Sequence, residues 1–138
     1  MLEKTFAIIK PDAVADKNAG KIIDRIEAEG FVIKSMKKIR MTKAAAEKFY
    51  FVHRERPFYN ALTDFMSSGP SIVLCLEKED AIKGWRTLMG ATNPEAAEAG
   101  SLRKLYGKSI DNNAVHGSDA PETAAEEIAF FFSGLELV

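Results

Sequence analysis

One histidine in this 138-residue chain stands where its side chain could do chemistry. His116 lies between the apolar pair Ala114-Val115 and the turn residues Gly117-Ser118, where we expect a strand to end and a helix to begin. A neutral imidazole keeps one lone pair free and can accept a phosphoryl group, provided that a neighbour holds the proton on the other ring nitrogen. A carboxylate is the natural neighbour for this purpose.

Two adjacent carboxylates follow His116 on the helix predicted from about Asp119 onward. On a helical wheel, Glu127 lies at the edge of the buried stripe and Glu126 points away from it, so Glu127 is the better partner. The stripe consists of Ala124, Ile128, Phe131 and Leu135. Ser118 either hydrogen-bonds that carboxylate or caps the helix, and its spacing is compatible with both. On these residues alone, a structural histidine with satisfied hydrogen bonds is a commoner explanation than a catalytic one.

Length and composition favour one folded domain spanning residues 1–138. Hydrophobic residues make up 46% of the chain, and its net charge of -1 provides no general attraction to nucleic acid or to an acidic membrane. Cys75 is the single cysteine and lies in an apolar run, which fits a reducing compartment. Neither a secretion signal nor a membrane-spanning stretch is recognisable, so we expect a cytoplasmic protein.

The elements that must position His116 follow from hydrophobic periodicity and turn residues. Strands are predicted at residues 5–10, 32–41, 71–77 and 113–117, the second with a bulge or strong twist because its alternation is imperfect. Helices are predicted at 19–29, from the cap Thr42 to about 53, at 59–66, 80–89 and from 119 to about 133. The segment 90–113 is predicted as a long loop with short helical turns.

Two of these helices, 42–53 and 59–66, form a predicted helical hairpin. Without that hairpin the order is strand, helix, strand, strand, helix, strand, which is typical of the split βαβ arrangement. The sequence therefore predicts an α+β, ferredoxin-like sandwich with a four-stranded antiparallel sheet covered by helices.

Common nucleotide-binding motifs are absent from the sequence. Gly107-Lys-Ser109 is similar to the end of a Walker A loop, but six residues separate it from Gly100 where four are required. Neither a Gly-x-Gly-x-x-Gly fingerprint nor a paired-cysteine zinc site occurs. Any nucleotide chemistry would need another kind of site.

The segment Asn113-Ala-Val-His-Gly-Ser-Asp119 resembles the active-site signature Asn-x-x-His-Gly-Ser-Asp of nucleoside diphosphate kinases. Further blocks that match this family occur in the same order along nearly the whole chain. They are Ile8-Ile-Lys-Pro-Asp-Ala13, Arg56-Pro-Phe58, Ser68-Gly-Pro70, Gly90-Ala-Thr-Asn-Pro94 and Arg103-x-x-Tyr106.

The resemblance implies a role for each matching residue. His116 would accept the γ-phosphoryl group, Glu127 and Ser118 would orient it, and Tyr50 would pack beside it. Phe58 would stack on the base and Leu62 would line the same cleft, an apolar contact that tolerates both purines and pyrimidines. The phosphates would be held by Arg86, Thr92 and Arg103, and the sugar hydroxyls by Lys10 and Asn113. Lys10 would also stabilise charge on the transferring group.

The same resemblance implies a ping-pong exchange of phosphate between nucleoside tri- and diphosphates such as ATP and GDP. Mg²⁺ is expected to arrive with the nucleotide, and no direct protein ligand for the metal is predicted. The family further suggests a homo-oligomer built from dimers, and a tetramer is our expectation.

Two other classes of protein would explain parts of the pattern. A ferredoxin-like nucleotide-sensing or RNA-binding module would keep the cleft without catalysis, but the basic and aromatic sheet signature of RNA recognition is missing. A histidine phosphocarrier would pass phosphate to proteins, and would leave Phe58, Arg86 and Arg103 without a role.

Overall fold

A four-stranded antiparallel sheet forms the centre of the computed structural model, which describes all 138 residues. The strands are β1 (Leu2–Ile9), β2 (Val32–Ile39), β3 (Ser71–Glu79) and β4 (Val115–Gly117), in the spatial order β2-β3-β1-β4. Phe6 and Ile8 of β1 point into one hydrophobic layer, and Ala7 and Ile9 into the other. The predicted ferredoxin-like α+β fold is confirmed.

Seven α-helices cover the two faces of the sheet. They are α1 (Pro11–Ala15), α2 (Ala19–Ala28), α3 (Lys43–Phe49), α4 (Tyr59–Met66), α5 (Ala81–Met89), α6 (Leu102–Tyr106) and α7 (Pro121–Phe131). The layer with α2 and α5 is built around the fully buried Trp85, and the layer with α3, α4 and α7 around Phe6. No helix combines the length and the apolar character that crossing a membrane requires.

The first strand and the segment after it differ from the prediction. β1 ends at Ile9, one residue earlier than expected, because Pro11 starts the short helix α1 and Lys10 caps that helix in an extended conformation. Helix α1 was not predicted, since five residues show no helical period. The consequence for the site is that Lys10 lies at the junction between a buried strand and a helix start.

The second strand and the helix after it also end earlier than predicted. β2 stops at Ile39 rather than at residue 41, and the expected irregularity is present as a register shift between Ile33 and Ser35. Thr42 caps α3 as predicted, its Oγ1 accepting from the amide of Ala45 at 3.0 Å. The predicted helix to residue 53 is wrong, because α3 ends at Phe49 and a 3-10 turn follows at Phe51–His53.

The last helix is shifted relative to its prediction. Ala120, rather than Asp119, is the residue before α7, and its amide donates to Thr123 Oγ1 at 3.1 Å. The helix ends at Phe131 instead of near 133, so Leu135 falls in the 3-10 turn Gly134–Glu136. The prediction that Leu135 is buried is wrong, since it is 95% exposed. The first part of the predicted stripe, Ala124 and Ile128, is buried.

The long segment between α5 and β4 contains only short helical pieces, as predicted. These are the 3-10 turn Pro94–Ala96 and helix α6. The two ends of the segment are joined to each other, because Asn113 donates through Nδ2 to the carbonyl of Thr92 at 3.1 Å. The loop thus returns to its starting point just before β4, the strand that contains His116.

Candidate active site

His116 lies in the middle of β4, the short edge strand, opposite Ile8 of β1. Helix α5 also packs against this strand, and its Trp85 donates through Nε1 to the carbonyl of His116 at 3.1 Å. Gly117 is required here, because a Cβ atom at this position would overlap the Trp85 indole and the Met89 methyl group. The backbone of the candidate nucleophile is therefore clamped between β1 and α5.

The imidazole of His116 is bonded to the carboxylate that the helical wheel selected. Its Nε2 lies 3.1 Å from Oε1 of Glu127, and the same oxygen accepts from Ser118 Oγ at 2.8 Å. Ser118 also accepts from the amide of Phe6 at 3.3 Å, which ties it to β1 rather than to a helix cap. Glu126 is exposed and outside this network. No hydrogen bond involves Nδ1 of His116, which is left available.

Burial decides the charge state of His116. Desolvation lowers its pKa below the ordinary value of 6.5, and the nearby positive charges of Lys10 and Arg103 act in the same direction, whereas the bond to Glu127 opposes the shift. The imidazole is thus neutral at neutral pH. Because a carboxylate accepts at Nε2, the proton resides there and the lone pair is on Nδ1.

Aromatic rings surround the histidine on the α3 side of the sheet. The ring of Tyr50 stands at 90° to the imidazole with 6.1 Å between centroids, and Phe49 lies 5.5 Å away in a similar edge arrangement. The Tyr50 hydroxyl is buried without a hydrogen-bond partner, and desolvation raises its pKa. Tyr50 therefore stays protonated and keeps an O–H free to donate.

His116 opens into a cleft of about 660 Å³. Nine of the eleven residues that the family resemblance singled out line this one cleft: Lys10, Tyr50, Phe58, Leu62, Arg86, Thr92, Arg103, Asn113 and His116. The other two do not line the cleft. Glu127 contacts the imidazole of His116, and Ser118 donates to Glu127. Residues from seven separate segments of the chain are thus brought to one place.

The buried part of the cleft lining contains a hydrogen-bonded pair, Lys10 and Asn113. Lys10 is only 7% exposed, and its Nζ donates to Oδ1 of Asn113 at 2.9 Å. Burial and the positive charge of Arg103 lower the pKa of Lys10 to about 8, while the carboxylates of Asp12 and Asp111 oppose that shift. Lys10 is thus a cation whose charge is poorly solvated, and an anionic ligand would stabilise it.

Two arginines provide the remaining positive charge. Arg103 is fixed by its Nη atoms, which donate to the carbonyls of Gly90 at 3.0 Å and Val115 at 2.9 Å, and its buried Nε has no partner. Burial lowers its pKa to about 10, and the charge of Arg86 adds to the shift. The exposed Arg86 points from α5 into the same cleft. Asp111 is the only carboxylate in the lining, so this end of the cleft suits an anion.

The opposite end of the cleft is apolar. Phe58 is 41% exposed at the start of α4, with Leu62 one turn further along that helix. Several lining residues were not predicted, including His53, whose ring lies 5.5 Å from that of Phe58, and the exposed Ile110. His53 lies in the 3-10 turn that was predicted as the end of a helix, and Ile110 lies in the loop before β4, so only the tertiary structure brings them to the cleft. A flat aromatic ligand fits this end, and phosphates fit the other.

Comparisons with known proteins agree with this geometry. The family model described as nucleoside diphosphate kinase matches residues 3–137. The nucleoside diphosphate kinases of Pelobacter propionicus and Geotalea uraniireducens are 64% and 63% identical to this chain, each alignment covering 99% of this chain and 100% of the relative.

Two solved structures share the fold over the full length of this chain. The nucleoside diphosphate kinase of Aquifex aeolicus superimposes with a TM-score of 0.98 at 49% identity, covering all of both chains. The Halobacterium salinarum nucleoside diphosphate kinase, solved in complex with CDP, has a TM-score of 0.96 at 36% identity and is covered over 92% of its length. This chain therefore belongs to the nucleoside diphosphate kinase family, the enzymes that transfer the γ-phosphate of a nucleoside triphosphate to a nucleoside diphosphate.

Proposed function

We propose that His116 is the phosphate acceptor of this enzyme and that Nδ1 is its nucleophilic atom. In the first half-reaction Nδ1 attacks the γ-phosphorus, the bond from that phosphorus to the β,γ-bridging oxygen breaks, and the nucleoside diphosphate leaves with the electron pair. A second diphosphate then takes the phosphoryl group by the reverse path. The observation that carries the proposal is the Nε2 to Glu127 contact, which leaves the Nδ1 lone pair free in a neutral ring.

The cations of the cleft stabilise the charge that develops during transfer. Lys10, Arg86 and Arg103 bind phosphate oxygens together with the Thr92 hydroxyl. The ring of Tyr50, whose hydroxyl has no hydrogen-bond partner, packs beside the imidazole of His116. Lys10 and Asn113 hold the sugar hydroxyls. The pairing of Lys10 with Asn113 at 2.9 Å supports this role, because an amide and an ammonium together can both donate to and accept from a hydroxyl.

The base lies against Phe58 and Leu62. Neither side chain offers a hydrogen bond, so the contact discriminates weakly between bases. Among relatives, the Halobacterium salinarum enzyme was solved with the pyrimidine nucleotide CDP. We expect this chain to use both purine and pyrimidine nucleotides.

Magnesium enters with the nucleotide. No group of three or more His, Cys, Asp or Glu side chains is arranged to hold a metal ion, and the cleft lining contains one carboxylate, Asp111. A hard cation that needs about six oxygen ligands would then take most of them from phosphates and water. When bound, the ion neutralises phosphate charge, and the residues of this chain orient the phosphates around it.

Assembly and location are further parts of the proposal. The edge strand β2 exposes Val32 and Met36, which are 57% and 48% accessible, and exposed apolar side chains on an edge strand favour contact with a second copy. We expect dimers that assemble into a tetramer in the cytoplasm, and the free thiol of Cys75 is compatible with a reducing compartment. Light scattering on the purified protein, with the mass of four chains as the expected result, tests the assembly.

One labelling experiment tests the proposed chemistry. The protein is incubated with γ-labelled ATP and Mg²⁺, freed of nucleotide, and then chased with GDP. We expect acid-labile label on the wild type, transfer of that label to GTP, and no label on His116→Ala. Label that remains on His116→Ala would move the nucleophile elsewhere, and label that resists the chase would favour a phosphocarrier.

A further inference from the structure

A carboxylate outside the cleft supports the segment between Asn113 and His116. Asp12, in the first turn of α1, accepts through Oδ2 from the amide of Ala114 at 3.1 Å. Its other oxygen, Oδ1, is buried without any hydrogen-bond partner. Desolvation raises the pKa of Asp12, and the backbone amides of Ala13 and Ala114 oppose that rise. A partly buried carboxylate with an unpartnered oxygen costs stability, so its placement calls for an explanation.

The residue that Asp12 binds is in a strained conformation. Ala114 is fully buried with a φ angle of +73°, a value that residues with a side chain seldom adopt. The amide of Val115 donates to the carbonyl of Asn113 at 2.9 Å, so these three residues form a γ-turn with Ala114 at its centre. Such a turn persists only where the surroundings hold it.

Both polar backbone groups of Ala114 are held by the segment after β1. Its amide donates to Asp12, and its carbonyl accepts from the amide of Lys10 at 2.8 Å. The turn reverses the chain directly between Asn113, which contacts Lys10 Nζ, and His116. The position of the sugar-binding amide relative to the nucleophile thus depends on this turn.

The negative charge of Asp12 acts on Lys10. Lys10 is buried, and it faces the positive charge of Arg103 from α6 and the imidazole of His116 from β4. The negative charges of Asp12 and of Asp111, in the loop before β4, favour its protonated form. Asp111 lines the cleft, whereas Asp12 supports the site from outside it.

We propose that Asp12 is a positioning residue for phosphoryl transfer, with two effects. Its carboxylate holds the strained γ-turn at Ala114 that sets Asn113 relative to His116, and its charge keeps Lys10 cationic. This inference rests on the proposed function, because it assigns Asp12 to the site that binds the nucleotide. Asp12 does not line the nucleotide cleft, so it acts through Ala114 and Lys10.

The test compares Asp12→Asn, which keeps an acceptor oxygen but loses the charge, with Asp12→Ala, which loses both. The matched control is Asp24→Asn on α2, an exposed carboxylate with no hydrogen bond. Steady-state kcat and KM with ATP and GDP are measured from pH 6 to pH 10, and circular dichroism verifies the fold. A third variant, Asp12→Ala with Ala114→Gly, removes the cost of the positive φ, because glycine adopts it freely.

We expect Asp12→Asn to shift the alkaline limb of the kcat/KM profile to lower pH, with a smaller effect on kcat at pH 7. Asp12→Ala should lower kcat by about 100-fold, as misplacement of reacting groups by about 1 Å does. Adding Ala114→Gly should recover part of kcat and leave the alkaline limb shifted. The control should match the wild type.

Several results would overturn the inference. Wild-type kinetics in Asp12→Asn and Asp12→Ala would do so, even with lowered thermal stability, as would an unshifted alkaline limb in Asp12→Asn. If Asp12→Ala does not fold, Asp12→Asn and the glycine double variant decide the question. Wild-type protein that takes no label from ATP would instead contradict the proposed function, so the two failures are distinguishable.

Discussion

The Nε2 atom of His116 lies 3.1 Å from Oε1 of Glu127. The carboxylate lies on α7 and the imidazole on β4, so the contact joins a helix to an edge strand of the sheet. It selects the tautomer in which Nδ1 is unprotonated, and it orients the ring toward the cleft.

Replacing Glu127 should affect turnover far more than replacing its neighbour. In Glu127→Gln the amide can donate to the ring nitrogen and favour the wrong tautomer. We expect kcat to fall by roughly 10- to 100-fold, the loss that is usual when a metal-bound histidine loses its orienting partner. Glu126→Gln, on the exposed side of α7, is the matched control and should retain wild-type kcat. Equal losses in a coupled ATP and GDP assay would show that the carboxylate does not orient His116.

The pH profile should reflect the buried lysine. Lys10 must be protonated to bind phosphate, and its pKa is lowered to about 8, so kcat/KM should fall as the pH rises through 8. On the acid side, the pKa of His116 is lowered below 6.5, so the imidazole remains neutral and nucleophilic to below that pH. The measurement is kcat/KM for ATP from pH 5 to pH 10, because in a ping-pong reaction this quantity reports the unphosphorylated enzyme. A profile that stays flat to pH 9.5 would contradict this account of Lys10.

Removing the aromatic wall should weaken binding without regard to the base. Phe58→Ala should raise KM by roughly tenfold for ADP and CDP alike, because stacking on an aromatic side chain contributes about 1–3 kcal/mol per base. Phe51→Ala is a suitable control, since Phe51 is also exposed, at 56% against 41% for Phe58, but lies outside the cleft lining. A loss confined to purines would indicate that another group, such as His53, reads the base.

Gly117 should tolerate no side chain. Gly117→Ala should lower the free energy of unfolding by about 1–3 kcal/mol, the usual cost of overpacking, because the new methyl group meets Trp85 and Met89. Gly20→Ala on α2, where the added Cβ has no neighbour within 4 Å, should instead raise stability by about 0.5–1 kcal/mol. Urea denaturation measures both. A neutral Gly117→Ala would show that α5 moves away from β4 freely.

The elements that were predicted correctly are those with strong local patterns. The apolar run in β3 and the period of α5, with Trp85 and Ile82 facing inward, directly reflect burial in the sheet and against it. The helical phase of α7 also distinguished Glu127 from Glu126. The end of that helix was not predictable, because Leu135 has a suitable spacing but no core to enter.

Other features of the site depend on contacts between distant parts of the chain. Asp12 and Ala114 are 102 residues apart, and neither residue type suggests a γ-turn or its support. The Nη atoms of Arg103 bind two backbone carbonyls that no sequence pattern indicates. The family signature predicted which residues gather at the cleft, but their hydrogen bonds depend on the tertiary structure.

Trp85 is the only tryptophan of the chain, and its indole is hydrogen-bonded to the backbone of His116. All tryptophan emission therefore originates one hydrogen bond from the residue proposed to carry the phosphate. Indole fluorescence is sensitive to the field of nearby charges, and phosphorylation of the imidazole would add negative charge beside it. The enzyme thus contains an intrinsic optical probe of its own catalytic cycle, with no label to attach and no second tryptophan to mask the signal.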